Sequence, residues 1–182
     1  EEALETLGEV LADQGQHAEL AVIGGGSLLL SQLLERPTKD LDVVALVIAG
    51  QYRRAKPFHD FLAAAVRDVA DATGLAPDWL NPGPTDLLDF GLPPGFEQRA
   101  TVRRFGGLTL HVASRKDQIC FKLYASVDQG PQSKHTADLK KLLPSPEELR
   151  WAGEWCRTQD PSDGFAQQLE LTLQAFGGSD GR

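Results

Sequence analysis

Methionine is absent from the 182 residues, and cysteine occurs only twice. The missing methionine carries the expectation that residues precede Glu1 in the intact translation product. Two cysteines, Cys120 and Cys156, are too few for the composition of a disulfide scaffold. Their small number, with no secretion signal at the start, points to a reducing, cytoplasmic location. Long apolar runs are missing too. The longest, "VVALVIAG" at 43–50, falls far short of the roughly 18–20 residues that a membrane span needs. His17, His59, His111 and His135 are dispersed, and no Cys/His spacing suggests zinc. The "GGGSLL" segment lacks the glycine that would follow a serine nucleophile at its elbow.

What is present describes a globular protein. Hydrophobic residues make up 41% and charged residues 24%, enough apolar side chain to build a core and exclude dominant disorder. The 18 Lys+Arg face 26 Asp+Glu, a net charge of −8. Residues 1–98 carry a net −10 and residues 142–182 a net −4, whereas residues 99–141 carry +6. Such a chain is a poor general nucleic-acid binder. Its basic middle reads either as surface variation or as a local phosphate-binding wall.

The order of elements follows from periodicity. Leu4, Leu7, Val10 and Leu11 predict a helix over 1–15. "ELAVIGG" reads as a short buried strand, and "SLLLSQLLE" as a helix starting at Ser27 behind a tight glycine turn. "RPTK" is a loop and "DLDVVALVI" a β-branched strand. A helix over 57–73 is opened by Pro57. Residues 76–98 are rich in Pro and Gly and read as a surface loop with one short strand or turn of helix. "TVRRFGGLTLHV" predicts a hairpin across Gly106 and Gly107. Helices are expected over 115–128, 134–142, 145–158 and 161–176. Together these give a mixed α/β (α+β) fold: a small mixed β-sheet flanked by helices, with a C-terminal helical segment. Residues 1–113 form the α/β core, and residues 114–182 are a helical part packed on the same domain.

Two segments carry chemistry. In "AVIGGGSLLL" the glycines let the backbone approach an anion, and a helix start offers free N–H groups to negative charge. Ser27 can cap that helix or donate to a phosphate. A tight strand-to-helix connection accounts for the same residues. A dinucleotide fingerprint does not, because Leu29 stands where its third glycine belongs. In "RPTKDLDVV", Asp40 and Asp42 are two apart at the start of a strand, so their carboxylates share a face while Leu41 and Val43 point into the core. By itself, D-x-D also describes a solvent-facing strand end. Close to the glycine turn, it describes two repelling carboxylates that a hard cation such as Mg²⁺ relieves, with substrate phosphates completing its shell.

"GGGS", a helix, then "TKDLDVV" resembles the nucleotidyltransferase superfamily with the DNA polymerase beta-like fold. The likeness is closer to small bacterial nucleotidyltransferase-like domains related to AbiEii-type toxins, and it covers roughly residues 20–45. "KLYASVDQGPQSKHTADLKKL" is similar to the downstream pattern of that toxin-like branch. The resemblance implies that Gly25, Gly26 and Ser27 hold nucleotide phosphates, in a register uncertain by one. It implies that Asp40 and Asp42 bind Mg²⁺, that Lys122 contacts phosphate and that Asp138 is a further active-site acid. The activity implied is transfer of a nucleoside monophosphate from a nucleoside triphosphate to a hydroxyl of RNA (transfer RNA included), protein or a small molecule, in a toxin–antitoxin system with a cognate protein partner. Two departures motivate an alternative. The superfamily's third strand carboxylate has only Asp78 as a candidate before the hairpin, with Asp138 as its substitute. The larger helical acceptor-binding domain of many relatives is missing. The alternative is a catalytically degenerate domain that binds a protein or senses nucleotide. For Lys122 and Asp138 the plainer readings are a solvated lysine and a Lys134–Asp138 helix ion pair.

Overall fold

The computed structural model describes residues 1–177. The chain divides into two compact units, Glu1–Ser114 and Arg115–Arg182.

The first unit opens with α1 (Glu2–Asp13), whose Leu4, Leu7 and Leu11 recur at helical spacing and are buried. β1 (Ala18–Ile23) runs straight into α2 (Gly24–Leu30). β2 (Leu41–Ile48) and β3 (Gln51–Arg53) form a hairpin across Ala49 and Gly50, both at positive φ. Next come α3 (Asp60–Thr73), β4 (Leu80–Asn81), a 3₁₀ helix (Gly83–Leu88) and the single turn α4 (Phe96–Arg99). β5 (Thr101–Phe105) and β6 (Leu108–Val112) close the unit as the expected antiparallel hairpin.

The six strands make one mixed sheet in the order β3-β2-β1-β6-β5, with β4 added beside the start of β2. β1 pairs antiparallel with β2 and parallel with β6. The β1–β2 register shifts between Ala21 and Val22, so that Ala21 faces Ala45 while Val22 faces Val43. The shift sends both Val43 and Leu46 to the same core, although they are three residues apart. That core joins them to Leu7 and Leu11 of α1 and Leu62, Val66 and Val69 of α3.

The second unit is helical: α5 (Arg115–Gln129), α6 (Lys134–Lys141), α7 (Pro146–Gln159) and α8 (Asp163–Gly177). The fold class is thus the expected one, a mixed sheet flanked by helices with a helical C-terminal segment. Among the described residues no helix is long and apolar enough to cross a membrane.

Three local expectations are corrected. α2 begins at Gly24, not Ser27, and Ile23 takes the N-cap position, so Ser27 lies inside the helix, buried, and is not its cap. The helix stops at Leu30 because Gln32 adopts φ +57, a left-handed conformation that a right-handed helix cannot continue through. α3 starts at Asp60 rather than Pro57.

Candidate functional site

The β1–β2 register decides what lies beside the aspartates. Asp42 pairs with Ile23, the residue immediately before the glycines, and on its other side with Asn81 of β4. Gly24 turns the chain at φ +76, and a Cβ built there would lie 2.2 Å from Asp42 Oδ2. Only glycine leaves that carboxylate its place. Asp42 Oδ1 accepts a hydrogen bond from Asn81 Nδ2 at 3.1 Å.

Asp40 precedes the strand and sits over Gly26, in the same first turn of α2. A Cβ on Gly26 would lie 2.8 Å from the Asp40 carbonyl oxygen and 2.8 Å from Leu41 Cδ1. Thr38 Oγ1 donates to the Asp40 carbonyl at 3.0 Å and lies 3.3 Å from its carboxylate Oδ1. Over Gly25 the neighbours are Arg36 Nη2 and Thr38 Oγ1, each 3.3 Å from a built Cβ. The loop from Arg36 to Asp42 therefore folds down onto the glycine run. Close approach of the chain to itself is one reason for glycine at these positions, independent of any ligand.

A cavity of about 470 Å³ opens beside this contact. Gly26, Thr38 and Asp40 line it together with Leu29, Leu30, Leu41 and Trp79; Asp42 is not in its lining. Asp40 and Asp42 thus meet the same glycine run at different points, Asp42 at Gly24 and Asp40 at Gly26.

Lys122 and Asp138 belong to the second unit. Lys122 Nζ lies 2.8 Å from Asp138 Oδ2, with side chains 2% and 1% exposed. Asp138 pairs with this lysine of α5, while Lys134, one turn before it on α6, is exposed. Asp78 is exposed in the turn ahead of β4, and the side chain from that segment that reaches Asp42 is Asn81. Trp79 packs into the core and donates from Nε1 to the Val66 carbonyl at 3.1 Å. Trp155 lies edge-on to Phe121, and Lys116 Nζ sits 4.1 Å over the Trp151 ring.

Thr38 and Asn81 escape sequence reasoning. Thr38 lies in the quoted motif but offers no charge. Asn81 belongs to a two-residue strand, too short for any periodicity.

Among the described residues no group of three or more His, Cys, Asp or Glu side chains could hold a metal ion. Mg²⁺ does not demand one, since it takes one or two carboxylates and completes its shell with water and phosphate. The oxygens of Asp40 and Asp42 are hard donors of the right kind, and the Cβ-sized space at Gly24 is where Asp42 Oδ2 meets the backbone. No family model, curated protein or solved structure matches the chain.

Proposed function

We propose that the chain is a Mg²⁺-dependent nucleotidyltransferase that binds a nucleoside triphosphate at the glycine turn Gly24–Gly26, Asp40 and Asp42. The observation that carries this reading is the packing of the Asp42 carboxylate against the first glycine of the strand-to-helix turn. A turn that admits polyphosphate and an acid that admits its counter-cation then share one contact. Bound there, Mg²⁺ supplies charge neutralisation for the attacking and leaving oxygens.

In the reaction, an acceptor hydroxyl oxygen forms a bond to the α-phosphorus, the bond from that phosphorus to the bridging oxygen breaks, and pyrophosphate leaves. The hydroxyl proton passes to a carboxylate; the role proposed for Asp40, which lines the open cavity, is to take it, with Asp42 left to hold the cation. Acceptors of the proposed class are an RNA, a protein or a small molecule, within a toxin–antitoxin pairing.

The test is transfer of label from α-labelled nucleoside triphosphates. Asp42→Ala is expected to lower transfer by at least about a hundredfold, the scale for loss of one electrostatic contact to the reacting phosphate. Unchanged transfer in that variant overturns the reading.

A second reading has its own observation. Lys122, proposed for phosphate, is held against Asp138 inside the helical unit. A cation so paired supports a domain that keeps the fold and binds a protein or senses nucleotide without transfer. Nucleotide binding weakened by Asp42→Ala, with no turnover in the unaltered chain, favours that alternative.

A further inference from the structure

The cavity beside Gly26 is walled by four parts of the first unit: the start of α1, α2, the end of α3 and the loop into β2. Its floor is apolar, with Leu4, Leu41 and Trp79 buried. Its mouth is apolar too. Leu29 and Leu75 line it and stay 41% and 39% exposed. One exposed leucine on a surface needs no explanation, but two on the rim of one cavity leave apolar area in water that a ligand would cover. The end of α3 puts Leu75 there. Gly74 takes φ +70, and the Leu75 N–H donates back to the Ala70 carbonyl at 3.1 Å, which closes the helix and fixes where Leu75 emerges.

A few polar groups stand beside this apolar surface. Glu1, Glu2 and Asp40 line the cavity, and Lys39 is the basic residue in the lining. Arg103 pairs with Glu1 from outside the lining. Glu2 and Asp40 then face a single lysine, an excess of one negative charge. Asp40 is half-buried and its carboxylate can only accept, so the polar end of an occupant must donate. A metal ion does not suit this lining. Leucine and tryptophan side chains give it no oxygen ligands, and Asp42 stands outside, packed on Gly24. An occupant ending in a carboxylate would meet the excess of negative charge. At about 470 Å³ the space lies in the range, roughly 300–1,000 Å³, of pockets for small organic molecules.

We infer that this cavity binds a small primary amine with an apolar body, its ammonium at Asp40 and Glu2 and its body against Leu29, Leu75 and Trp79. The inference needs neither nucleotide nor Mg²⁺, so it can fail while the transfer reading stands, or the reverse. The test is calorimetry on the full chain with three probes that share one body: phenylbutylamine, phenylbutanol and phenylbutyrate. The amine is expected to bind once per chain at millimolar concentration or below. The carboxylate is expected to bind at least about tenfold more weakly than the amine, the scale for losing a hydrogen bond to a charged group. Removing both charges in the double variant Glu2→Gln, Asp40→Asn is expected to bring the amine down to the alcohol's affinity and to leave the alcohol unchanged. Leu29→Gln, at an exposed position outside the core cluster, is expected to weaken amine and alcohol alike by about tenfold, the scale for losing one leucine contact. A melting curve for each variant separates loss of fold from loss of affinity. The inference is overturned if the amine does not bind, if the carboxylate binds as tightly, if the double variant keeps the preference for the amine, or if Leu29→Gln changes neither affinity.

Discussion

Three glycines in a row look alike in sequence but not in space. Gly24 combines φ +76 with a built Cβ 2.2 Å from Asp42 Oδ2, whereas a Cβ on Gly25 meets the Arg36 guanidinium and the Thr38 hydroxyl at 3.3 Å. The first clash is with a carboxylate that its neighbours hold in place; the second is partly with the end of a long side chain that can move. Gly24→Ala is therefore expected to cost about 2 kcal/mol in a urea unfolding curve, in the range for a non-glycine residue forced to positive φ. Gly25→Ala is expected to cost less than about 1 kcal/mol. Equal costs for the two would remove the special status of Gly24. The sequence motif marks the run but cannot say which member makes the turn, because that depends on pairing between Ile23 and Asp42 across the sheet. Lys122 and Asp138 teach the same lesson. Both stand out in sequence, yet only packing of α5 against α6 shows them to be partners. Removing the carboxylate in Asp138→Ala leaves a buried ammonium without it, at an expected cost of about 3–5 kcal/mol. The double variant Lys122→Met, Asp138→Leu is expected to recover much of that loss, as read by circular dichroism in urea. A double variant no more stable than the single one would show that other groups define this pair.

Helices of the second unit are legible because their apolar residues recur every three or four positions, a signal that no distant contact needs to supply. α7 adds a local start signal. Ser145 Oγ accepts from Glu148 N at 3.1 Å, and Glu148 Oε2 accepts from Ser145 N at 2.8 Å, with Pro146 at the first turn. Glu148 also pairs with Arg115 of α5. This arginine, foremost, and then the Ser145 bond hold the Glu148 carboxyl below its ordinary value of 4.5, against the opposing effect of partial burial. A depressed folded-state pKa adds stability above the unfolded value, and that stability is lost as pH falls through the folded value. The melting temperature is thus expected to drop on acidification below about pH 4.5, and Glu148→Gln to flatten that drop. An identical acid limb in the variant would assign the drop to other carboxylates. Strand elements were less legible. β3 is three residues long, too short for alternation to announce it, although Gly50 just before it marks the turn. The segment 76–98 takes its shape from distant partners, among them the Ala55 N–H donating to Thr85 Oγ1 at 2.7 Å, and no local rule could have supplied them.

Charge acts on the whole molecule. Asp40, Asp42 and the glycine run lie in the stretch that carries a net −10, while the chain as a whole carries −8. A nucleoside triphosphate brings further negative charge to that region, where Arg36 over Gly25 and Lys39 in the cavity lining are the basic side chains at hand. On the proposed reading these two do not balance the net −10, so divalent cation, which is attracted to carboxylates and phosphates alike, is expected to be required for binding. Lys122 does not relieve this requirement while Asp138 holds its ammonium at 2.8 Å. The same balance bears on the acceptor. Long polyanions gain affinity by displacing counterions with many lysines and arginines at once, and the basic stretch at 99–141 offers its excess of +6 against acidic surroundings. Calorimetry is therefore expected to detect a nucleoside triphosphate in millimolar Mg²⁺ and to lose it in EDTA. Random-sequence RNA at near-physiological salt is expected to remain unbound in a filter assay. Binding of the triphosphate that survives EDTA would mean that backbone and basic side chains alone hold the phosphates, and that the two aspartates serve something other than a cation.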